Sequence, residues 1–220
     1  MTNPDRLSYP AHRLSVPRSA RYHLLGERRG ADEIWVVLHG YSQLASTFLR
    51  WFEPVARPGR LIVAPEALSR AYFDEGGARR VGASWMTKED REAEIEDYVR
   101  YLDALADELI GSIPPLPRLE VHGFSQGAAT ASRWVAYGRY AVSRLVLWGG
   151  TVPPDIDLER MRSHLRDGKV VVAVGDRDQF VTAEQVRNER ARLLGLNLNL
   201  DVRQFTGGHV VDRSTLVAIA

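Results

Sequence analysis

Short runs of apolar, largely branched residues recur along the chain, at Ile34–Leu38, Arg60–Ala64, Leu119–Val121, Leu145–Trp148 and Val170–Val174. They do not alternate with polar residues. Extended segments of this kind are covered on both faces, as in a parallel sheet flanked by helices. Stretches of helical length lie between them. Residues 45–56 carry Phe48, Trp51 and Phe52 at inward positions. From Thr87 to Ile110, the residues Ile95, Tyr98, Val99, Leu102, Leu105, Ala106, Leu109 and Ile110 form one stripe. Thr87 is the expected cap of that helix, with Asp90 three residues on. Further helices are expected from the 119–121 strand through Trp134 and Val135, over 157–166, from a Thr182 cap to about Leu194, and at the C-terminus. Leu198–Phe205 reads as another strand.

This alternation predicts an α/β fold, a mostly parallel central sheet with helices on both faces. With 220 residues, one domain over 1–220 is expected, without room for a large cap domain. Residues 1–19, with Pro4, Pro10 and Pro17, read as an irregular lead-in with room for a short edge strand. Ala20–Leu25 reads as a strand. Glu66–Ser84, with Gly76, Gly77 and Gly82, reads as a long loop. Pro114, Pro115 and Pro117 break the chain before the next strand.

Composition narrows the function. The net charge of +1 gives no argument for nucleic acid or a strongly acidic partner. The absence of cysteine excludes thiol catalysis, disulfides and thiolate metal sites, and suits a reducing compartment. No apolar run opens the chain as a signal peptide would, and none reaches transmembrane length. A cytoplasmic protein with no membrane span is the expectation.

In a parallel sheet, ligands bind at the carboxyl ends of the strands. The sharpest motif stands at such an end. Leu119–Val121 leads into Gly123-Phe124-Ser125-Gln126-Gly127 and then into small, helix-compatible residues, the pattern of a nucleophile elbow. Side chains at Gly123 and Gly127 would collide with neighbouring elements or oppose the turn. Ser125 is the candidate nucleophile. It needs a base, and the base needs a carboxylate on its other nitrogen. On this kind of sheet the acid and then the histidine follow the serine in the chain.

Of six histidines, His12 and His23 precede the sheet and His164 lies on a helix face. His122 belongs to the strand before the elbow and should point into packing. His39 precedes Ser125 and is assigned a loop-shaping role. His209, in Gly207-Gly208-His209 after the last strand, is the expected base. Asp176 and Asp178 both follow the Val170–Val174 strand. Asp178 is preferred as the acid because Gly-x-x-Asp clears the strand end, while Asp176 is expected to cap its own turn. The backbone N–H of Gln126 should be one oxyanion donor. The other should come from the loop after Ile34–Leu38, from Tyr41 first and Ser42 next. Glu92 and Glu96 are spaced like an acid/base pair but lie on a polar helix face, and a solvated surface is the preferred reading.

Leu38-His39-Gly40-Tyr41, the Gly-Phe-Ser-Gln-Gly elbow, Gly175-Asp176-Arg177-Asp178 and Gly207-Gly208-His209 together resemble the phospholipase/carboxylesterase branch of the α/β-hydrolases, which includes acyl-protein thioesterases. The resemblance runs from about residue 34 to the end. It implies Ser125, Asp178 and His209 as a triad and Tyr41 and Gln126 as oxyanion donors. The family's usual His-Gly-x-Gly-Asp reads His39-Gly40-Tyr41-Ser42-Gln43 here, and Glu66 stands where the family often has Asn. For Glu66 a loop hydrogen bond is expected.

The function expected is hydrolysis of a small-molecule carboxylic ester or thioester through an acyl-enzyme, without metal or cofactor, by a monomer or homodimer. Phe73, Trp85, Met86, Phe180 and Val181, with Tyr41, are candidates to line an apolar acyl site, with ordinary core burial as the other reading of each. A dienelactone hydrolase-like or peptidase-like member of the same fold, and a catalytically silent binding module, are the alternatives.

Overall fold

The computed structural model describes residues 9–75, 77–110, 117–195 and 198–220. Pro114, Pro115, Gly76 and the first eight residues of the lead-in, Pro4 among them, lie outside the described residues. Strand β1 (Tyr22–Leu25) is followed by β2 (Glu33–Leu38), helix α1 (Ala45–Leu49) and a 3-10 segment (Arg50–Val55). Next come β3 (Arg60–Pro65), β4 (Ser69–Glu75), β5 (Ala78–Ser84), α2 (Arg91–Ile110), β6 (Arg118–Phe124) and α3 (Gln126–Tyr137). The chain ends with β7 (Val142–Trp148), α4 (Leu158–His164), β8 (Leu165–Gly175), α5 (Ala183–Leu194), β9 (Asn199–Phe205) and α6 (Arg213–Ile219).

Seven strands form one sheet in the order β1-β3-β2-β6-β7-β8-β9. All neighbours are parallel except the edge strand β1, which runs antiparallel to β3. Side chains alternate between two cores. Ile34, Val36, Leu61, Val63, Val121, Leu145, Leu147, Val170 and Val172 pack on one face with Tyr98 and Leu102 of α2 and Ala131 and Trp134 of α3. Trp35, Val37, Ile62, Ala64, Val146, Trp148, Val171 and Ala173 pack on the other with Phe48, Phe52, Leu216 and Ile219. Continuous apolar runs are therefore what both faces require. Each fully buried large side chain contributes about 1.5–3 kcal/mol before entropy is counted. A core of this extent can hold a strained turn at its edge.

Register sets where that edge lies. Leu38 stands opposite Gly123, Phe124 opposite Trp148, and Gly175 opposite Phe205. The loops after β2, β6, β7, β8 and β9 thus leave the sheet side by side.

Two expectations fail. Glu66–Ser84 is not a structureless loop: β4 and β5 pair antiparallel from Ser69↔Ser84 to Glu75↔Ala78. In sequence, Gly76-Gly77 between segments carrying Tyr72, Phe73 and Val81 is a hairpin pattern. The second failure is the start of α2. The helix begins at Arg91, not Thr87, and Asp90 takes φ 49°. The Asp90 carbonyl accepts from Glu94 N–H (3.2 Å), while Thr87 Oγ1 is held by Glu94 Oε2 (3.1 Å). A side-chain bond from within the helix has replaced the expected cap. The Thr182 cap of α5 matches its expectation, with a capping box to Gln185.

Candidate active site

The elbow is built by close backbone contacts. Ser125, between β6 and α3, has φ 55° and ψ −117°, a conformation that side chains avoid. Such a residue stores on the order of 1–3 kcal/mol and persists only where its surroundings enforce it. Here Ser125 N–H donates to Trp148 O (2.9 Å) and Ala128 N–H donates to Ser125 O (2.9 Å). A Cβ at Gly123 would lie 2.2 Å from Gly127 O, and one at Gly127 would lie 2.2 Å from Leu38 O. Both glycines are required because helix α3 starts directly against the strand ends.

The last two loops hold the histidine and its carboxylate. A Cβ at Gly175 would strike Gly207 O (2.3 Å) and Gly208 O (2.4 Å), so the turn after β8 lies flush on the histidine loop. Asp176 Oδ1 accepts from Gly207 N–H (2.9 Å). It therefore ties the two loops together, where the sequence had suggested a cap on its own turn. Asp178 reaches the histidine. Its Oδ1 accepts from Phe180 N–H (2.8 Å) and Val181 N–H (3.1 Å), and its Oδ2 accepts from His209 Nδ1 (2.8 Å). With the Nδ1 proton held there, the lone pair of the neutral ring is on Nε2. That atom is buried and has no hydrogen-bond partner among the described residues.

The His209 ring packs on Phe124, the residue before Ser125, with centroids 4.8 Å apart. Gly149 and Gly150, after β7, lie against the histidine and the elbow respectively. A Cβ at Gly149 would lie 2.8 Å from the His209 ring, and one at Gly150 would lie 3.5 Å from Ser125 O and 2.6 Å from Ala128 Cβ. Sequence reading left this glycine pair without a role. Its signal was its place, directly after a central strand at the edge where ligands bind.

The loop after β2 is tightly bonded. Gly40 N–H donates to Gln43 Oε1 (2.8 Å), Gln43 N–H to Gly40 O (3.3 Å), and Ser42 N–H to Ala83 O of the hairpin (2.9 Å). Among the described residues no such bond engages the amide of Tyr41. Ser42, the alternative donor, is thereby committed elsewhere. Ser42 also takes φ 62°, which a glycine would adopt without strain. His39 is buried beneath the loop; its Nδ1 donates to Gly40 O (2.8 Å) and its Nε2 accepts from Ala67 N–H (3.1 Å). Burial lowers its pKa, and both nitrogens are used as in a neutral ring. This is the loop-shaping role expected of it. Glu66 Oε1 accepts from Arg21 and from Arg70 (3.2 Å), and its Oε2 accepts from Ala45 N–H (3.3 Å). Burial pushes its pKa up, but these partners outweigh that and hold it below the ordinary value.

The predicted substrate-lining residues divide. Phe180 is 62% exposed and stands edge-on to His209 (4.6 Å). Phe73 meets the exposed Tyr41 ring edge-on at 5.2 Å. Val181 is half-buried beside Asp178. Met86 is half-buried, with its sulfur accepting from Arg133 Nη1 (3.7 Å). Trp85 corrects its expectation: it is a buried core residue, its indole N–H donating to His39 O (2.9 Å). His122 is buried and stacked on Trp35 (4.3 Å), in packing as expected. Glu92 and Glu96 line a cavity of about 550 Å³ with Arg91, Arg133 and Asp155, and neither Ser125 nor His209 lines it. Among the described residues no group of three or more His, Asp or Glu is arranged to hold a metal, and no helix is long and apolar enough to cross a membrane.

A mostly parallel sheet between two helical layers, with an elbow at the end of its central strand, is the α/β-hydrolase fold. Solved structures match it over most of their length. Esterase PE8 is 22% identical, with 92% of this chain and 96% of that chain covered and a TM-score of 0.67. The carboxylesterase of Mesorhizobium loti is 17% identical, with 91% and 92% covered and a TM-score of 0.69. Acyl-protein thioesterase 2 of Zea mays is 17% identical, with 91% and 96% covered and a TM-score of 0.66. At these identities the likeness is one of fold. No protein-family model matches the sequence, and no curated protein matches it.

Proposed function

We propose that this chain is a serine hydrolase of the phospholipase/carboxylesterase type, cleaving small carboxylic esters or thioesters through Ser125, His209 and Asp178. The carrying observation is the bond from His209 Nδ1 to Asp178, which leaves a buried Nε2 with no partner among the described residues, on a ring packed against Phe124 of the elbow. Ser125 Oγ attacks the acyl carbon and its proton passes to His209 Nε2. The imidazolium so formed is stabilised by the Asp178 carboxylate. The carbonyl oxygen becomes an oxyanion and is held by the backbone N–H groups of Tyr41 and Gln126, the first residue of α3, whose helix dipole adds to the attraction. Collapse expels the alcohol or thiol, which takes the proton from His209. Water then attacks the acyl-enzyme, giving its proton to Nε2, and the acid leaves as Ser125 recovers its hydrogen.

Phe180, Phe73 and Tyr41 would contact the acyl or alcohol part of the substrate. The exposure of Phe180 and Tyr41 supports an open site. The esterases and thioesterase that share the fold support this reaction class. A cysteine-free chain acting as one domain in the cytoplasm, alone or as a homodimer, is part of the same proposal. Hydrolysis of p-nitrophenyl esters across acyl lengths tests it. Turnover is expected for the wild-type protein and a fall of at least about 10³-fold in kcat for Ser125→Ala. A wild-type protein inert to every ester and thioester tried would instead support a binding module that keeps the fold.

A further inference from the structure

The two groups assigned above as oxyanion donors sit on separate elements, and a single segment of the hairpin fastens both. Ala83 bonds the loop after β2 through Ser42 N–H to Ala83 O (2.9 Å) and Ala83 N–H to Gln43 O (3.0 Å). Gly82 makes this approach possible, since a Cβ there would lie 2.2 Å from Ser42 O. Two residues further on, the Gln126 side chain takes hold of the same segment. Its Oε1 accepts from Trp85 N–H (3.0 Å), and its Nε2 donates to Met86 O (2.8 Å) and Ser84 Oγ (3.2 Å). Trp85 adds a third tie through its indole N–H to His39 O (2.9 Å). The Gln126 amide is thus engaged at both ends by backbone groups.

We infer that the Gln126 side chain is a positioning residue that, through residues 83–86, fixes the Tyr41 amide relative to the Gln126 amide. The hairpin acts as a strap across the oxyanion hole. It is fastened to the elbow at Gln126 and to the loop at Ser42 and Gln43. An oxyanion needs both donors at about 2.7–3.1 Å at once, so the spacing between two elements has to be enforced. A ladder of backbone bonds enforces it better than loop packing, because each bond loses its partner if the strap shifts.

The inference rests on the hydrolase reading for its kinetic consequence but not for its mechanical one. Gln126→Met keeps the side-chain volume and removes the bonds. Gly82→Ala loosens the strap at its other fastening. Each is measured by hydrogen exchange of amides 39–44 without substrate, and by steady-state hydrolysis of p-nitrophenyl acetate. Expected are loss of protection at 39–44 in Gln126→Met, although residue 126 is on another element, and a fall in kcat of about 10–100-fold with KM within about twofold. Gly82→Ala should give the same pattern, and the double variant less than the product of the two effects. Affinity for an aryl trifluoromethyl ketone, which forms an oxyanion on the serine, should fall in step with kcat/KM.

A merely structural side chain would lower stability without the kcat-only loss. Unchanged exchange at 39–44 in Gln126→Met, or unchanged kcat where the wild-type protein turns over, overturns the inference. Should Gln126→Met fail to fold, Gly82→Ala decides by the same readings. An inert wild-type protein would sink the hydrolase reading, and the exchange experiment would still decide the coupling.

Discussion

One hydrogen bond separates the two aspartates of the turn after β8. Asp178 Oδ2 accepts from His209 Nδ1, whereas Asp176 Oδ1 accepts from the Gly207 amide. An asparagine at 178 can offer its NH2 to Nδ1, which would place the ring proton on Nε2 and remove the base. Asp178→Asn should therefore lower kcat by about 10³–10⁴-fold with KM little changed. Asp176→Asn still accepts from Gly207 and should stay near the wild-type rate. Steady-state ester hydrolysis by both variants checks this. That Asp178 would reach the histidine was legible in sequence because turn length decides which carboxylate clears the strand. Sequence reading places Tyr41 before Ser42 as the second donor but does not foresee the bonding of the Ser42 amide. Ser42 is committed through a bond to Ala83, set by a pairing about forty residues away that no local signal reports. Gln126 shows the same limit. Its proposed backbone role follows from its position after the serine, and the bonds of its side chain follow only from where the hairpin lands.

At the scale of elements, strands with continuous apolar runs were legible because burial on both faces leaves an unmistakable pattern. The β4–β5 hairpin was missed because its strands are mixed. Arg70, Asp74, Arg79 and Arg80 interrupt the apolar residues of the paired strands. The glycine pair between them was the available signal. Helix caps were read with mixed success. Thr182 closes a capping box with Gln185, while Thr87 stands outside its helix. Since Thr182 lies near Asp178 in sequence but binds only the start of α5, Thr182→Ala should lower unfolding free energy by about 1 kcal/mol and leave kcat unaltered. Urea denaturation and ester turnover on the same preparation check both halves of that statement.

At the scale of the whole molecule, buried charge and buried imidazole couple stability to pH. His122 is fully buried beside Glu120 and Arg144, with Arg60 near, and Trp148 Nε1 donates to its Nδ1 (3.5 Å). Burial lowers its pKa in the fold, as it does for His39. In the unfolded chain both titrate near 6.5. Their contribution is therefore complete above that value and is lost as pH falls, because the unfolded state takes up protons first. Glu66, also depressed in the fold, adds a loss with the same sign at lower pH. The urea midpoint should fall steadily from about pH 6.5 downward, and His122→Gln should flatten that slope. A midpoint constant between pH 7 and 5 would contradict the assignment of neutral rings. Arg144 Nη1 donates to Ile219 O (2.6 Å) and Arg60 Nη2 to Ala220 O (3.0 Å), so the same buried network holds the C-terminal helix. On the proposed reading the whole fold has a further task, which is to let residues 125, 178 and 209 act together. The most direct test is to treat the folded protein with a fluorophosphonate and map the adduct by peptide mass spectrometry. One adduct per chain on the peptide bearing Ser125, absent in Ser125→Ala and much slower in His209→Ala, is the predicted result; no adduct on the folded protein, or an adduct on another residue, would contradict it.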